Sequence, residues 1–244
     1  MLRNLFIFIY VGISPIFLFP FGLLTFIFYA IGLKRAMSLV MYKIAQGWAK
    51  LLIKLSGCDT TVTGIENIPK GKEGVCFVSN HSGYFDIVLL LAFCGRPVGF
   101  VAKKELLLLP FINLWIFMIG GLFIDRTNPR KASRTISKGA QKIKKGGGMI
   151  IFPEGHRSKG RGLLPFHPGS LKLATTAEAV IVPVYLQGTY EFFEKNGRIT
   201  KTSLKVDFLQ TINTADIPST DRKLILSNRI FEAIKERMDS TGKI

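Results

Sequence analysis

From about residue 60 onward, short runs of β-branched or apolar residues alternate with helical patterns. The runs fall at 60–63, 75–79, 98–102, 121–124, 149–152, 180–186 and 204–208. Each is only a few residues long and flanked by turn or charged residues, which is the signature of buried strands. Strands alternating with helices predict an α/β fold with a mixed, mainly parallel sheet flanked by helices. Residues 221–238 read as an amphipathic closing helix, and Gly57 marks the expected start of the globular part.

The first third of the chain is patterned differently. Residues 4–33 contain no Asp, Glu, Lys or Arg. As one straight helix this run would extend ~45 Å, against a hydrocarbon core of ~30 Å. Pro15 and Pro20 fall near its middle, where each breaks or kinks a helix. The expectation is therefore two short apolar helices hinged over residues 14–20, a membrane-associated hairpin sunk into one leaflet, with a kinked single span as the alternative. A signal peptide fits less well, because the apolar run exceeds the usual 7–15-residue core and no small-x-small cleavage site follows. Residues 36–55 then predict an amphipathic helix, with Val40, Ile44, Leu51 and Leu55 on one face and Lys43, Lys50 and Lys54 on another. These patterns divide the chain into an anchoring part, 1–56, and an α/β part, 57–244, where any catalytic domain is expected.

Two further segments have alternative readings. Residues 106–120, with Pro110 inside, are almost wholly apolar and predict a core helix, a wall of an apolar channel, or a second membrane contact. Gly146, Gly147 and Gly148 lie before a strand rather than after one, so they read as a helix end and turn and not as a phosphate cradle.

Charge narrows the partners. Thirty-three Lys and Arg against sixteen Asp and Glu give a formal net charge of +17, which calls for an anionic partner. Lys34, Arg35, Lys43, Lys50 and Lys54 cluster just after the apolar run, which favours anionic membrane lipids over nucleic acid and the cytoplasmic face of the cell membrane. Cys58, Cys76 and Cys94 are odd in number and widely spaced, with no disulfide or zinc framework. His81, His156 and His167 match no metal-ligand spacing, so no metal is expected.

Candidate chemistry concentrates at two strand ends. Asn80, His81, Ser82, Gly83, Tyr84, Phe85 and Asp86 follow the run 75–79, and ligand sites of α/β sheets lie at the carboxyl ends of strands. On a continuous helix His81 and Asp86 would point about 140° apart, so pairing them needs a turn, which Gly83 permits. The run 149–152 leads into Pro153, Glu154, Gly155, His156, Arg157 and Ser158, a charged turn that packing does not explain.

With these two blocks the chain resembles the glycerolipid acyltransferase family, specifically the 1-acyl-sn-glycerol-3-phosphate acyltransferases. The resemblance runs from about residue 62 to about residue 188. His81 and Asp86 match the family's His-x4-Asp block, and the stretch Gly121 through Ile124, Asp125 and Arg126 matches the second block. Residues 152–158 match the third, usually Phe-Pro-Glu-Gly-Thr-Arg-Ser, and Val182, Pro183 and Val184 match the fourth. Two departures stand out: His156 replaces the usual threonine, and His167 follows Phe166 where a lysine is common.

The resemblance implies transfer of a fatty acyl group from an acyl thioester, acyl-CoA or acyl carrier protein, to the sn-2 hydroxyl of lysophosphatidic acid, giving phosphatidic acid without a cofactor. His81 is then the general base and Asp86 its orienting partner. Arg157 leads for the acceptor phosphate, because a guanidinium supplies two parallel charge-assisted bonds; Arg126 is second. Glu154 and Gly155 shape the turn, with Glu154 bonding the glycerol or anchoring Arg157, and Lys103 and Lys104 add charge. Ser82 lacks a Gly-x-Ser-x-Gly elbow, which predicts direct attack without an acyl-enzyme. The rival readings are another acceptor, such as glycerol 3-phosphate, or a non-catalytic membrane or nucleic-acid-binding protein. The latter predicts basic residues interleaved with exposed aromatics.

Overall fold

The computed structural model describes residues 2–242; the side chains of Lys34, Arg35 and Pro168 lie outside that description. The apolar run forms α1 (Leu2–Phe17) and α2 (Phe19–Ala30), which meet at Leu18. Pro15 lies inside α1, and a proline occupies the first turn of α2, where its missing N–H costs nothing. The amides of Leu18 and Gly22 still bond the carbonyls of Ser14 and Leu18 at 2.9 and 3.0 Å. The two helices are therefore one bent path of 29 residues. The expected hinge over 14–20 is a bend, and the chain turns back at Gly32, whose φ of +115° suits glycine. The hairpin's second arm is α3 (Lys34–Ser56).

The expected helix over 36–55 is thus present with its lysine face exposed, but the apolar row named from the pattern is not the row that packs on the protein. Met41, Tyr42, Ala45, Ala49, Leu52 and Ile53 are buried, while Val40, Leu51 and Leu55 are exposed. Both rows of the helix are apolar, so periodicity alone did not choose between them. The row that is buried packs on the helix that follows the first catalytic block.

Beyond α3 come β1 (Asp59–Thr63), β2 (Val75–Ser79), α4 (Phe85–Phe93), β3 (Val98–Lys103), α5 (Ile112–Met118), β4 (Leu122–Ile124) and α6 (Pro129–Lys144). Then follow β5 (Gly148–Ile151), α7 (Lys172–Ala177), β6 (Val180–Gln187), α8 (Thr189–Phe192), β7 (Ser203–Phe208), β8 (Ile212–Asn213) and α9 (Arg222–Thr241). All seven expected strands are found, and the two-residue β8 is additional. The sheet order is β1-β7-β6-β2-β5-β3-β4, with β8 on β6. All neighbours are parallel except β6 with β7 and β8.

Both faces of the sheet are covered, which is why its strands read as continuous apolar runs instead of alternating ones. In β2, Val75 and Phe77 face the layer of α3 and α4, while Cys76 and Val78 face that of α6, α7 and α9. In β5, Ile150 faces the first layer and Met149 and Ile151 the second. Helix α4 leaves β2 on one face and α7 follows β5 on the other, so the carboxyl ends of these neighbouring strands open where the connections part.

The expectation of a core helix over 106–120 does not hold. Leu107, Leu108, Leu109, Ile112, Leu114 and Phe117 are exposed, Leu108 at 83%. This segment lies against the apolar helices: Phe111 meets Phe19, Phe117 meets Phe26, and the Trp115 indole N–H donates to the Pro15 carbonyl at 3.3 Å. The triple glycine behaves as expected, turning the chain from the end of α6 into β5.

Candidate active site

The loop after β2 is held in place by Asn80. Its side chain is buried and bonds Leu186 of β6 twice, accepting from the amide at 2.8 Å and donating to the carbonyl at 2.9 Å. His81 follows at once, and its Nδ1 lies 2.6 Å from Oδ2 of Asp86 in the first turn of α4. The same carboxylate oxygen accepts from the amides of Ser82 at 2.7 Å and Gly83 at 3.0 Å. Three donors converge on this one oxygen at the amino end of α4, which holds the Asp86 side chain in place. Its own position then fixes the ring, since Nδ1 carries the proton to the carboxylate and Nε2 is left as the basic nitrogen. Phe152 stacks on the imidazole with centroids 4.0 Å apart, closing its face.

Gly83 is needed, though not for the reason expected. Its backbone is outside the left-handed region; instead a Cβ there would lie 2.7 Å from Glu194 Oε2 and 2.9 Å from the Thr189 carbonyl. Space, rather than turn geometry, requires glycine.

The charged turn after β5 closes onto this loop through the backbone. The amides of Ser158 and Lys159 donate to the carbonyls of His81 and Ser82 at 2.7 and 3.3 Å. Glu154 is buried, and its Oε1 accepts from the His81 amide at 2.8 Å. Burial, followed by the nearby Asp86 charge, pushes its carboxyl up to about 7, against the opposing backbone bonds from His81 and Leu164. Oε2 of Glu154 and Oδ1 of Asp86 are both buried without a hydrogen-bond partner among the described residues, an arrangement common where polar atoms await a substrate or solvent.

The expected phosphate ligands are dispersed around this centre. The Arg157 guanidinium is ion-paired with Glu194 and stacked on Tyr84, its Cζ 3.6 Å from the ring centroid. Glu194, and not Glu154, anchors Arg157. Arg126 donates to the Gly155 carbonyl. The His167 ring is close by, its Cδ2 being 3.3 Å from the point where a Gly155 Cβ would stand, so this imidazole and Arg126 flank the turn. Lys103 and Arg126 line a neighbouring cleft of about 150 Å³ with Glu105, Ile124 and Thr127. Lys104 is engaged elsewhere: its ammonium pairs with Asp125 at 2.9 Å, and that carboxyl is held down to about 2 by the Thr127 hydroxyl and by Lys104.

Sequence reasoning therefore named His81, Asp86, Glu154 and Arg157 but missed Glu194 and the stacking role of Tyr84. No local signal marks Glu194, which is separated by 110 residues from the Tyr84 amide it accepts from.

Residues 59–187 match the family model described as Acyltransferase. Over 147 residues the chain is 35% identical to the 1-acyl-sn-glycerol-3-phosphate acyltransferase of Borreliella burgdorferi, covering 60% of this chain and 58% of that protein. It is 33% identical over 178 residues to the enzyme of that name from Salmonella typhimurium, covering 69% of this chain and 72% of that protein. A chloroplastic relative of the same name from Brassica napus is 33% identical but covered over only 42% of its length. The chain thus spans less than two thirds of the Borreliella and Brassica proteins. The crystal structure of the 1-acyl-sn-glycerophosphate (LPA) acyltransferase of Thermotoga maritima superposes with a TM-score of 0.82 at 26% identity, covering 100% of this chain and 98% of that one.

Proposed function

Because this chain belongs to the acyltransferase family, we propose that it moves a fatty acyl group from a thioester to the sn-2 hydroxyl of 1-acyl-sn-glycerol 3-phosphate, making phosphatidic acid. The observation that carries the reading is the part-buried His81–Asp86 pair at the end of β2, joined to curated relatives whose names state this activity.

The chemistry needs one base. The acceptor hydroxyl attacks the thioester carbonyl while Nε2 of His81 takes its proton, and Asp86 stabilises the imidazolium. Collapse of the tetrahedral intermediate breaks the carbon–sulfur bond, and the imidazolium returns the proton to the departing thiolate. No enzyme nucleophile takes part. Cys76 and Cys94 are unsuited to that role, since burial raises both thiols well above their ordinary range. Among the described residues no hydrogen bond joins the Ser82 hydroxyl to His81. Glu154, whose carboxyl burial raises to about 7, sits beside the base with one oxygen unpaired, which supports a role in bonding the glycerol. Arg157 takes the phosphate, and Arg126 and Lys103 add positive potential. Acyl-CoA and acyl carrier protein both suit the basic surface as donors.

The reaction's lipids call for a membrane seat, and the apolar helices supply one on the cytoplasmic leaflet. Phe6, Phe17 and Phe21 are more than 60% exposed, which is costly in water and favourable in hydrocarbon. One-leaflet seating is favoured over a span because the whole length of the bent helix touches the catalytic part. Asn4 donates to the Ile199 carbonyl at 3.1 Å, Phe8 packs on Phe193, Pro15 on Trp115, and Phe26 on Phe117. The exposed leucines of residues 107–109 extend this apolar surface.

The test is a product assay on the purified full chain in vesicles, with lysophosphatidic acid and each donor, read by mass spectrometry. Phosphatidic acid from at least one donor is expected. Product with glycerol 3-phosphate or another lysophospholipid alone would replace the acceptor, and no product from any of them would reject the reading.

A further inference from the structure

The Arg157 side chain is 22% exposed and its partner Glu194 is 11% exposed, so their ion pair is poorly screened. Glu194 is held at both oxygens. Oε1 accepts from Nη1 of Arg157, and Oε2 accepts from the Tyr84 amide at 2.6 Å. Tyr84 in turn lays its ring on the guanidinium, an arrangement favourable for a cation over an aromatic face. A guanidinium has five N–H donors in a rigid fork. Among the described residues the side-chain hydrogen bonds of Arg157 leave only through Nη1, so one corner is tied and one face is covered while Nε and Nη2 have no hydrogen-bond partner.

We propose that Glu194 is a positioning residue for the acceptor's phosphate, holding Arg157 so that its remaining edge meets that group. The inference rests on the reading of Arg157 as the phosphate ligand. Its geometry adds a second feature: the segment carrying Glu194 is braced against the apolar helix. Phe193 meets Phe8 edge-on with centroids 5.9 Å apart, Asn4 bonds Ile199, and the Thr200 amide closes the loop on the Phe192 carbonyl at 2.7 Å. The helix that enters lipid is therefore linked, through one short loop, to the arginine that reads the lipid's headgroup. A carboxylate held at both oxygens is a fixed brace.

The experiment measures KM for lysophosphatidic acid and for the acyl donor, with kcat, in Glu194→Ala, Glu194→Gln, Arg157→Ala and the double variant Glu194→Ala/Arg157→Ala. Loss of positioning is expected to raise the acceptor KM of Glu194→Ala by about 10-fold to 10²-fold, the cost of a small misplacement, with donor KM unchanged. Glu194→Gln should recover part of it, because its amide oxygen still accepts one of the two bonds. In the double variant the two effects should not add, as befits residues acting through one another. An unchanged or lowered acceptor KM in Glu194→Ala, or donor and acceptor KM rising together, would overturn the proposal; a lowered value would mark Glu194 as a competitor of the phosphate. If Arg157→Ala itself leaves acceptor KM unchanged, the phosphate reading fails, and the positioning role fails with it. If only the Glu194 variants are silent, the positioning role alone is lost. Should Glu194→Ala not fold, the Glu194→Gln variant, which fills the same volume, carries the same comparison.

Discussion

Phe77 and Phe17 are the same residue with opposite fates. Phe77, in the middle of β2, is fully buried between β5, β6 and the α3–α4 layer, whereas Phe17, at the end of α1, is 74% exposed. Sequence hydrophobicity does not separate them, since both stand in strongly apolar runs. What differs is the partner. The strand's apolar residues find protein on both faces, while those of the bent helix find protein along one side only and leave the other for something else that is apolar. The first region holds His81 and Asp86 in register; the second leaves an apolar surface exposed along the bent helix.

The contrast is broken most severely from the sheet side. Phe77→Ala should cost about 3–5 kcal/mol of stability, as expected for emptying a close-packed core site, whereas Phe17→Ala should leave chemical denaturation in detergent within about 0.5 kcal/mol. Equal losses would mean that α1 is part of the folded core and not a lipid-facing element.

A charge sharpens it from the other side. Leu108→Asp combined with Phe17→Asp should lower partition into anionic vesicles by about tenfold or more, because each places a carboxylate where hydrocarbon is expected. Residual binding should weaken as salt rises, since the basic surface remains. Unchanged partition would remove the exposed segment 107–109 and α1 from the membrane contact.

Glu154 provides a smaller effect of stated sign. Its carboxyl is raised in the folded protein to about 7, so folding favours the protonated form. Its contribution is present below the ordinary carboxylate range and is lost as pH rises through about 7. Thermal melts should therefore show Tm falling over that window in the parent, and Glu154→Gln should flatten this part of the profile. A fall of the same size in the variant would assign it to another group.

The smallest change is expected at Ser82, whose contacts to the site run through its backbone. Ser82→Ala should retain activity within a few-fold, and enzyme held with donor alone should show no acyl adduct by intact mass. A stable adduct at Ser82 would convert the mechanism to two covalent steps.

Much of this was legible in the chain because strands buried on both faces announce themselves as continuous apolar runs, and the blocks at their ends are polar where packing gives no reason for polarity. Three things were not legible. The packed face of α3 was not identified because two of its rows are apolar, and only contact with α4 selects one. The apolar segment over 106–120 looked like core because sequence hydrophobicity does not distinguish a buried apolar residue from an exposed one. Glu194 gave no signal because its role depends on a loop returning from 37 residues beyond Arg157 and 110 beyond Tyr84.

The central claim is that a base at the end of β2 takes the acceptor's proton as the acyl group is transferred, and His81→Ala in vesicles tests it most directly. With Tm and vesicle binding matched to the parent, phosphatidic acid formation should fall by about 10²–10⁴, the range typical of a lost general base. Near-normal turnover in that folded, membrane-bound variant would contradict the account.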